Sequence, residues 1–192
     1  MFLLLKLFFD VVFSLTAVFA QGASGCPNGT YSVVTSPDGG TISILFDSFK
    51  VEAGGSTGLD MDRKSCNLSV PLVLPAGYSI GVYKVDYRGF AQLSEKQHSE
   101  LLVDYALGPH DNGRIYRRKV KGIFLGDFLF TETLGAGAMK RVGCGATANL
   151  NVTIALSLQA SGSSEQAIAS LDSVDGAPKG GLIYHFNYKK CR

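Results

Sequence analysis

The stretch Asn149-Leu150-Asn151-Val152-Thr153-Ile154-Ala155-Leu156-Ser157-Leu158 alternates apolar and polar side chains with a period of two. Successive side chains of a strand point to opposite faces, so Leu150, Val152, Ile154, Leu156 and Leu158 line one side and the asparagines and hydroxyls the other. That is a half-buried β-strand. The same beat recurs upstream, where Leu68, Val70, Leu72 and Leu74 alternate with Asn67, Ser69, Pro71 and Val73, and Pro71 places this strand toward a sheet edge because it cannot donate to a ladder. Residues 31–36 and 41–49 flank Pro37-Asp38-Gly39-Gly40, whose Pro and Gly supply turn dihedrals, which predicts a hairpin. Further strands are expected at 79–88, 99–107, 115–124, 127–133, 166–173 and 182–190. Helical spacing is weak throughout, its best stretch being 94–102. The expectation is an all-β, antiparallel sandwich of about eight to ten strands in one domain.

Composition agrees with one globular domain: 192 residues, 46% hydrophobic, 18% charged, 23 Gly and no Trp. Lys+Arg 18 against Asp+Glu 16 leaves a net charge of +2, too balanced for a protein built around nucleic acid. The first twenty residues are almost wholly apolar and give way abruptly to Gln21-Gly22-Ala23-Ser24-Gly25. With Val18 and Ala20 three residues and one residue before the break, this reads as a secretory signal peptide over 1–20, leaving 21–192 as a single secreted β domain. Nothing after Ala20 is long and apolar enough to span a bilayer, so no membrane partner is expected after signal removal.

Cys26, Cys66, Cys144 and Cys191 all come after the proposed cut, and an even number in an oxidising compartment reads as two disulfides. Three connectivities are open. Tracing the chain up, down and up through the hairpin returns Cys26 and Cys66 to one end of the sheet, which favours Cys26–Cys66 and leaves Cys144–Cys191. Asn28, Asn67 and Asn151 head N-x-[ST] triplets and are candidate glycosylation sites, two of them facing away from an apolar stripe.

Candidate chemistry is sparse. Arg114, Arg117, Arg118, Lys119 and Lys121 put five cations in eight positions. On a strand Arg117, Lys119 and Lys121 share a face able to hold phosphate, sulfate or uronate groups, or simply to guard a sheet edge. Residues 54–58 spell G-x-S-x-G, but residues 59–70 form a polar connection into a strand, without the helix a nucleophile elbow needs. Asp60 and Asp62, near Asp47 and Glu52, suggest oxygen ligands without a calcium loop. His98, His110 and His185 are far apart in sequence. Tyr78, Tyr83, Tyr87, Phe90 and Tyr105 suit either a sugar platform or strand packing. Asp86 and Arg88 share a strand face and are positioned to pair, and Lys140-Arg141 is a possible dibasic processing site. No catalytic residue, metal site or cofactor is nominated.

The segments CPNGTYSVVTSPDGGTISILFDSF (26–49), RKSCNLSVPLVLPAGYSI (63–80), VDYRGFAQL (85–93) and CGATANLNVTIALSL (144–158), with a last Cys near the end, resemble a family of small secreted proteins. That family, found mainly in filamentous fungi and some actinobacteria, is catalogued as domain of unknown function 4360. The resemblance implies an extracellular, disulfide-bonded β protein and carries no catalytic residues. The segment 114–121 departs from the family pattern. The functional expectation is a secreted, monomeric, non-enzymatic protein acting at a cell wall or host surface, an effector candidate whose partner is a wall polysaccharide or host surface component. A carbohydrate- or polyanion-binding module and a hydrolase with unrecognised catalytic residues are the alternatives.

Overall fold

The computed structural model describes residues 19–20, 24–74, 76–136, 138, 140–145, 148–171 and 181–192. The expected signal peptide therefore lies outside the described residues, except for the backbone of Phe19 and Ala20. The strands, in chain order, are β1 (Phe19–Ala20), β2 (Tyr31–Thr35), β3 (Thr41–Phe46), β4 (Lys50–Ala53), β5 (Met61–Leu72), β6 (Tyr78–Leu93), β7 (His98–Leu107), β8 (Arg114–Lys121), β9 (Phe124–Thr133), β10 (Val142–Gly143), β11 (Ala148–Gln159), β12 (Ala167–Ser170) and β13 (Gly181–Lys190).

They form two antiparallel sheets. One runs β1-β5-β11-β7-β8; the other runs β2-β3-β13-β6-β12-β4, with β9 and β10 also pairing with β6. The alternating stretch is β11, central in its sheet, paired along its length with β5 and with β7 from Leu150 to Gln159. Leu150, Ile154, Leu156 and Leu158 are fully buried and Val152 nearly so. Against them pack Ile42 and Ile44 of β3, Ile80, Val82 and Val85 of β6, and Leu182 and Tyr184 of β13, all in one core. Burying such a side chain stabilises by roughly 1.5–3 kcal/mol, which is why the apolar beat decides the fold.

The hairpin forms as expected, with Thr35 opposite Ile42. Gly39 takes φ 66° and the Asp38 carboxylate accepts from the Gly40 N–H at 2.9 Å. The long run 41–49 divides, because a bend at Asp47 and Ser48 turns the chain into β4 and drops Phe49 into the core against Phe46. That division, together with the two-residue strands β1 and β10, takes the described strands beyond the expected number. The weak helical stretch 94–102 is instead a turn followed by β7. There the Gln97 side chain accepts from the Ser94 N–H at 2.7 Å and donates to Ser163 and Glu165. The strand expected over 67–74 begins earlier and ends earlier: β5 starts at Met61, carries the polar residues before Asn67 into the sheet and stops at Leu72. The run 115–124 ends earlier, at Lys121, with Gly122 and Ile123 turning into β9. Residues 172 and 173 of the expected strand 166–173 lie outside the described residues.

β6 is sixteen residues long and holds a bulge: His185 faces Lys84, but Phe186 faces Val82. The extra residue resets the phase, so that Ile80 and Val82 before it and Val85 and Tyr87 after it all point inward. Two disulfides close the molecule, Cys26–Cys66 and Cys144–Cys191, with Cα separations of 5.5 and 5.7 Å. This is the favoured connectivity of the three.

Candidate functional site

β8 is the edge of the five-stranded sheet. Its sequence, RIYRRKVK, puts just two apolar side chains on the inward beat, Tyr116 and Val120, and both are buried. Ile115, Arg117, Lys119 and Lys121 take the outward beat and are exposed. The Arg118 guanidinium folds over the Tyr116 ring, 4.6 Å from its centre, and Arg114 donates to the Ala138 carbonyl. The five cations are thus divided: three stand in a row on the outer face, and two are engaged at the sheet margin.

Across the ladder Lys121 faces His98, Lys119 faces Glu100 and Arg117 faces Leu102. The next strands add Ser157 and then Arg63 beyond Glu100, so the row Arg63, Ser157, Glu100, Lys119 crosses four strands at about 4.8 Å each. Arg117 Nε lies 3.8 Å from Glu100 Oε1 with the arginine still 64% exposed, a loose pair that leaves most of the positive face open to solvent. His98 reports the local field: burial lowers its pKa first, and Lys119 and Lys121 lower it further. Such a face can accept carboxylate or sulfate groups from a polymer lying along β8.

The same outer face carries two of the three sequons. Asn67 lies opposite Thr153 and Ser69 opposite Asn151, so each asparagine faces the hydroxyl residue of the other triplet. Ser69 Oγ donates to Asn151 Oδ1 at 2.8 Å. Asn67 and Asn151 are exposed, as is Asn28 in the turn before β2.

The other sequence candidates do not converge. Residues 54–58 form a 3-10 turn, Gly55–Thr57, docked so tightly on the loop at 163–166 that a Cβ on Gly54 or Gly55 would strike the backbone of Glu165 or Gln166. Asp62 accepts from the Glu52 and Arg63 N–H groups and Asp60 from that of Gly162, so the pair fixes loops and points at no common centre. Among the described residues no group of three or more His, Cys, Asp or Glu is placed to hold a metal. Tyr87 and Tyr105 are buried, whereas Tyr78 and Tyr83 are exposed at different points along β6, so the aromatics build no single platform. Arg141 donates to Ser79 and to Asn187, which holds the side chain a dibasic protease would have to seize.

Two clusters escaped the sequence reading. Asp86 does not pair with Arg88; its Oδ1 accepts from Thr131 at 2.7 Å, and its Oδ2 lies 3.0 Å from Lys84 Nζ and 2.9 Å from His185 Nε2. Lys84 and Asp86, two residues apart on β6, share a face by ordinary alternation, and His185 joins them as the ladder partner of Lys84. Burial would raise the Asp86 pKa, but the hydrogen bonds from Thr131, Lys84 and His185 outweigh it and hold the carboxyl below its ordinary value. On the inner side, Glu132 of β9 accepts from Tyr87 of β6 at 2.9 Å and from Tyr105 of β7 at 3.1 Å, tying the two sheets together. Tyr116 stacks on Tyr87 at 4.1 Å and Tyr105 meets Tyr184 edge-on. Burial pushes the Tyr87, Tyr105 and Tyr184 phenols up, so all three stay neutral, and Tyr87 and Tyr105 donate to the Glu132 carboxylate. No spacing rule links Glu132 to tyrosines on two other strands.

Comparison with known proteins gives little beyond family. An uncharacterized secreted protein of Arthroderma benhamiae is 28% identical over 170 residues, covering 88% of this chain and 69% of the relative. Its description as secreted agrees with the address read from the first twenty residues. The solved structure of TmCBM61 in complex with beta-1,4-galactotriose matches 90% of this chain and 88% of its own at 15% identity, with a TM-score of 0.34, a likeness too slight to carry an argument. Residues 13–191 match the family described as Domain of unknown function (DUF4360), and the chain belongs to that family.

Proposed function

We propose that this is a secreted, non-enzymatic binding protein that acts at a cell wall or host surface, and that it holds an acidic polysaccharide on the outer face of its five-stranded sheet. One observation carries the reading: Arg117, Lys119 and Lys121 stand side by side, exposed, on an edge strand with Glu100 as the nearby counter-charge. Alternate side chains of a strand lie about 6.7 Å apart, so the three cations meet successive acidic groups of an extended polymer rather than one compact anion. Solvated cations of this kind attract through a field that salt screens, giving association that is modest per contact and additive along the row.

The test is retention of the purified protein on immobilised polygalacturonate across a salt gradient. Wild type is retained at low salt and released as salt rises. The triple variant Arg117→Gln, Lys119→Gln, Lys121→Gln binds roughly tenfold more weakly, the sum of a few surface contacts, with unchanged thermal unfolding. Unchanged retention removes the basic row. Turnover of a glycan, ester or peptide that disappears on substituting an acidic residue or histidine overturns the non-enzymatic reading.

A further inference from the structure

The outer face of the eight-stranded sheet carries an amphipathic patch that the basic row does not reach. Outward residues of β6 and β9 meet there in three successive ladder pairs: Gln92 with Leu125, Phe90 with Asp127, and Arg88 with Leu129. Every pair sets one apolar side chain beside one planar polar group, and the apolar member changes strand from each pair to the next. Phe90 is half-buried yet takes no part in the core, and Leu125 and Leu129 are 75% and 57% exposed. Gln92 and Asp127 are exposed too. Arg88 and Asp127 are diagonal neighbours across the ladder, but no ion pair joins them among the described residues. The Arg88 Nε is shut off from water and has no hydrogen-bond partner. A shielded donor left without an acceptor costs free energy that a ligand oxygen accepting from it restores.

We propose that this patch binds a neutral β-linked glucan, with a sugar ring lying flat on Phe90. A pyranose whose substituents are all equatorial presents an apolar C–H face, which Phe90 and the two leucines match, and a rim of hydroxyls, which the polar members of the pairs match. A hydroxyl both donates and accepts. One ligand therefore serves the Asp127 carboxylate, which only accepts, and the Arg88 guanidinium, which only donates. Charge excludes simpler occupants: an anion is repelled by Asp127 and a cation by Arg88, while a plain hydrocarbon surface would bury both without partners. Size excludes a second copy of the chain. Three ladder pairs on two strands cover roughly 10 Å by 20 Å, about 200 Å², against ~800 Å² per partner in a stable protein interface. That footprint accommodates a short run of sugar rings. The patch lies across the sandwich from Arg117, Lys119 and Lys121, and it stands whether or not they hold an acidic polymer.

Titration calorimetry with cellohexaose, a soluble β-linked glucose hexamer, tests the site. Wild type binds it with an affinity that does not change between low and high salt, because the ligand carries no charge to be screened. Phe90→Ala weakens binding about tenfold or more by removing the stacking surface. Asp127→Asn keeps the shape but replaces a charged acceptor with a neutral amide, and weakens binding roughly fivefold. Asp127 is outward and exposed, so its variant unfolds as wild type does and separates lost binding from lost fold. Both variants match wild type on polygalacturonate, since neither residue belongs to the basic row. No binding of cellohexaose by wild type, or binding unchanged in either variant, overturns the proposal. So does a concentration-dependent dimer that Phe90→Ala abolishes, which would assign the patch to a second copy. Cellohexaose binding that depends on Phe90 and Asp127, with no retention on polygalacturonate, would instead remove the acidic-polysaccharide reading and leave this one standing.

Discussion

At the scale of single residues, Asp86 is a buried carboxylate, 7% exposed, that meets Thr131, Lys84 and His185 at once. Each partner stabilises the charged form, and together they overcome the burial that opposes it. A carboxyl whose folded pKa lies below its unfolded value of 3.8 contributes stability that is present above that value and lost as pH falls through the folded one. Asp86→Asn keeps the shape and removes the charge, leaving Lys84 without its counter-ion and the His185 ring without its carboxylate partner. The expected loss is about 1–3 kcal/mol at neutral pH, shrinking as wild type itself protonates below pH 3.8. Urea unfolding of both proteins at pH 7 and near pH 3 checks this; a difference that stays constant with pH would show that packing, rather than charge, holds the site.

Elements were legible where one face is apolar and hidden where contacts run between strands far apart in sequence. The beat of β11 announces itself because its inward residues are uniformly aliphatic; β7 and β13 carry a weaker beat, in which Ser99, Tyr105, Tyr184 and Phe186 stand among the inward residues. β6 is legible only to residue 88; it runs on to Leu93 through Gly89, where a Cβ would strike the Ser170 carbonyl of the neighbouring strand. Glu132 gave no signal at all: its partners come from β6 and β7, 45 and 27 residues away. The basic row was legible because it is local to one strand, whereas its neighbours Arg63 and Glu100 become neighbours through register. Register also joins the sequons to that row. Asn67 on β5 and Asn151 on β11 share the outer face with Arg117, Lys119 and Lys121, so glycans on them would stand over the approach to the cations. Protein secreted from a eukaryotic host should lose mass on treatment with a peptide N-glycosidase, and retention on polygalacturonate should rise with it. A mass that does not change would show that neither asparagine carries a glycan.

At the scale of the whole molecule, the two disulfides divide the work of closure unequally. Cys26 and Cys66 are fully buried and join the segment leading into β2, in the eight-stranded sheet, to β5 in the other, so this bond crosses the sandwich. Phe49 seals it: a Cβ on Gly25 would collide with the Phe49 ring, so the glycine lets that ring close over the chain next to Cys26. Cys144 is exposed, and Cys144–Cys191 pins β10 and the end of β13, which both flank the start of β6 within one sheet. The loops are of similar length, 40 and 47 residues, and in the chain-entropy model each bond stabilises by about 4 kcal/mol, so loop size does not distinguish them. Access does, because thiol exchange needs an attacking thiolate to reach a sulfur. Under mild reductant at native pH, pulse alkylation followed by peptide mass spectrometry should label Cys144 and Cys191 first. Cys26 and Cys66 should be labelled at the rate of global unfolding, and without reductant none of the four should react even in denaturant. Equal labelling rates for the two pairs would mean that the sandwich opens locally around Cys26, and that the sheets are held together by the Glu132 tyrosine contacts and the apolar core rather than by the buried bond.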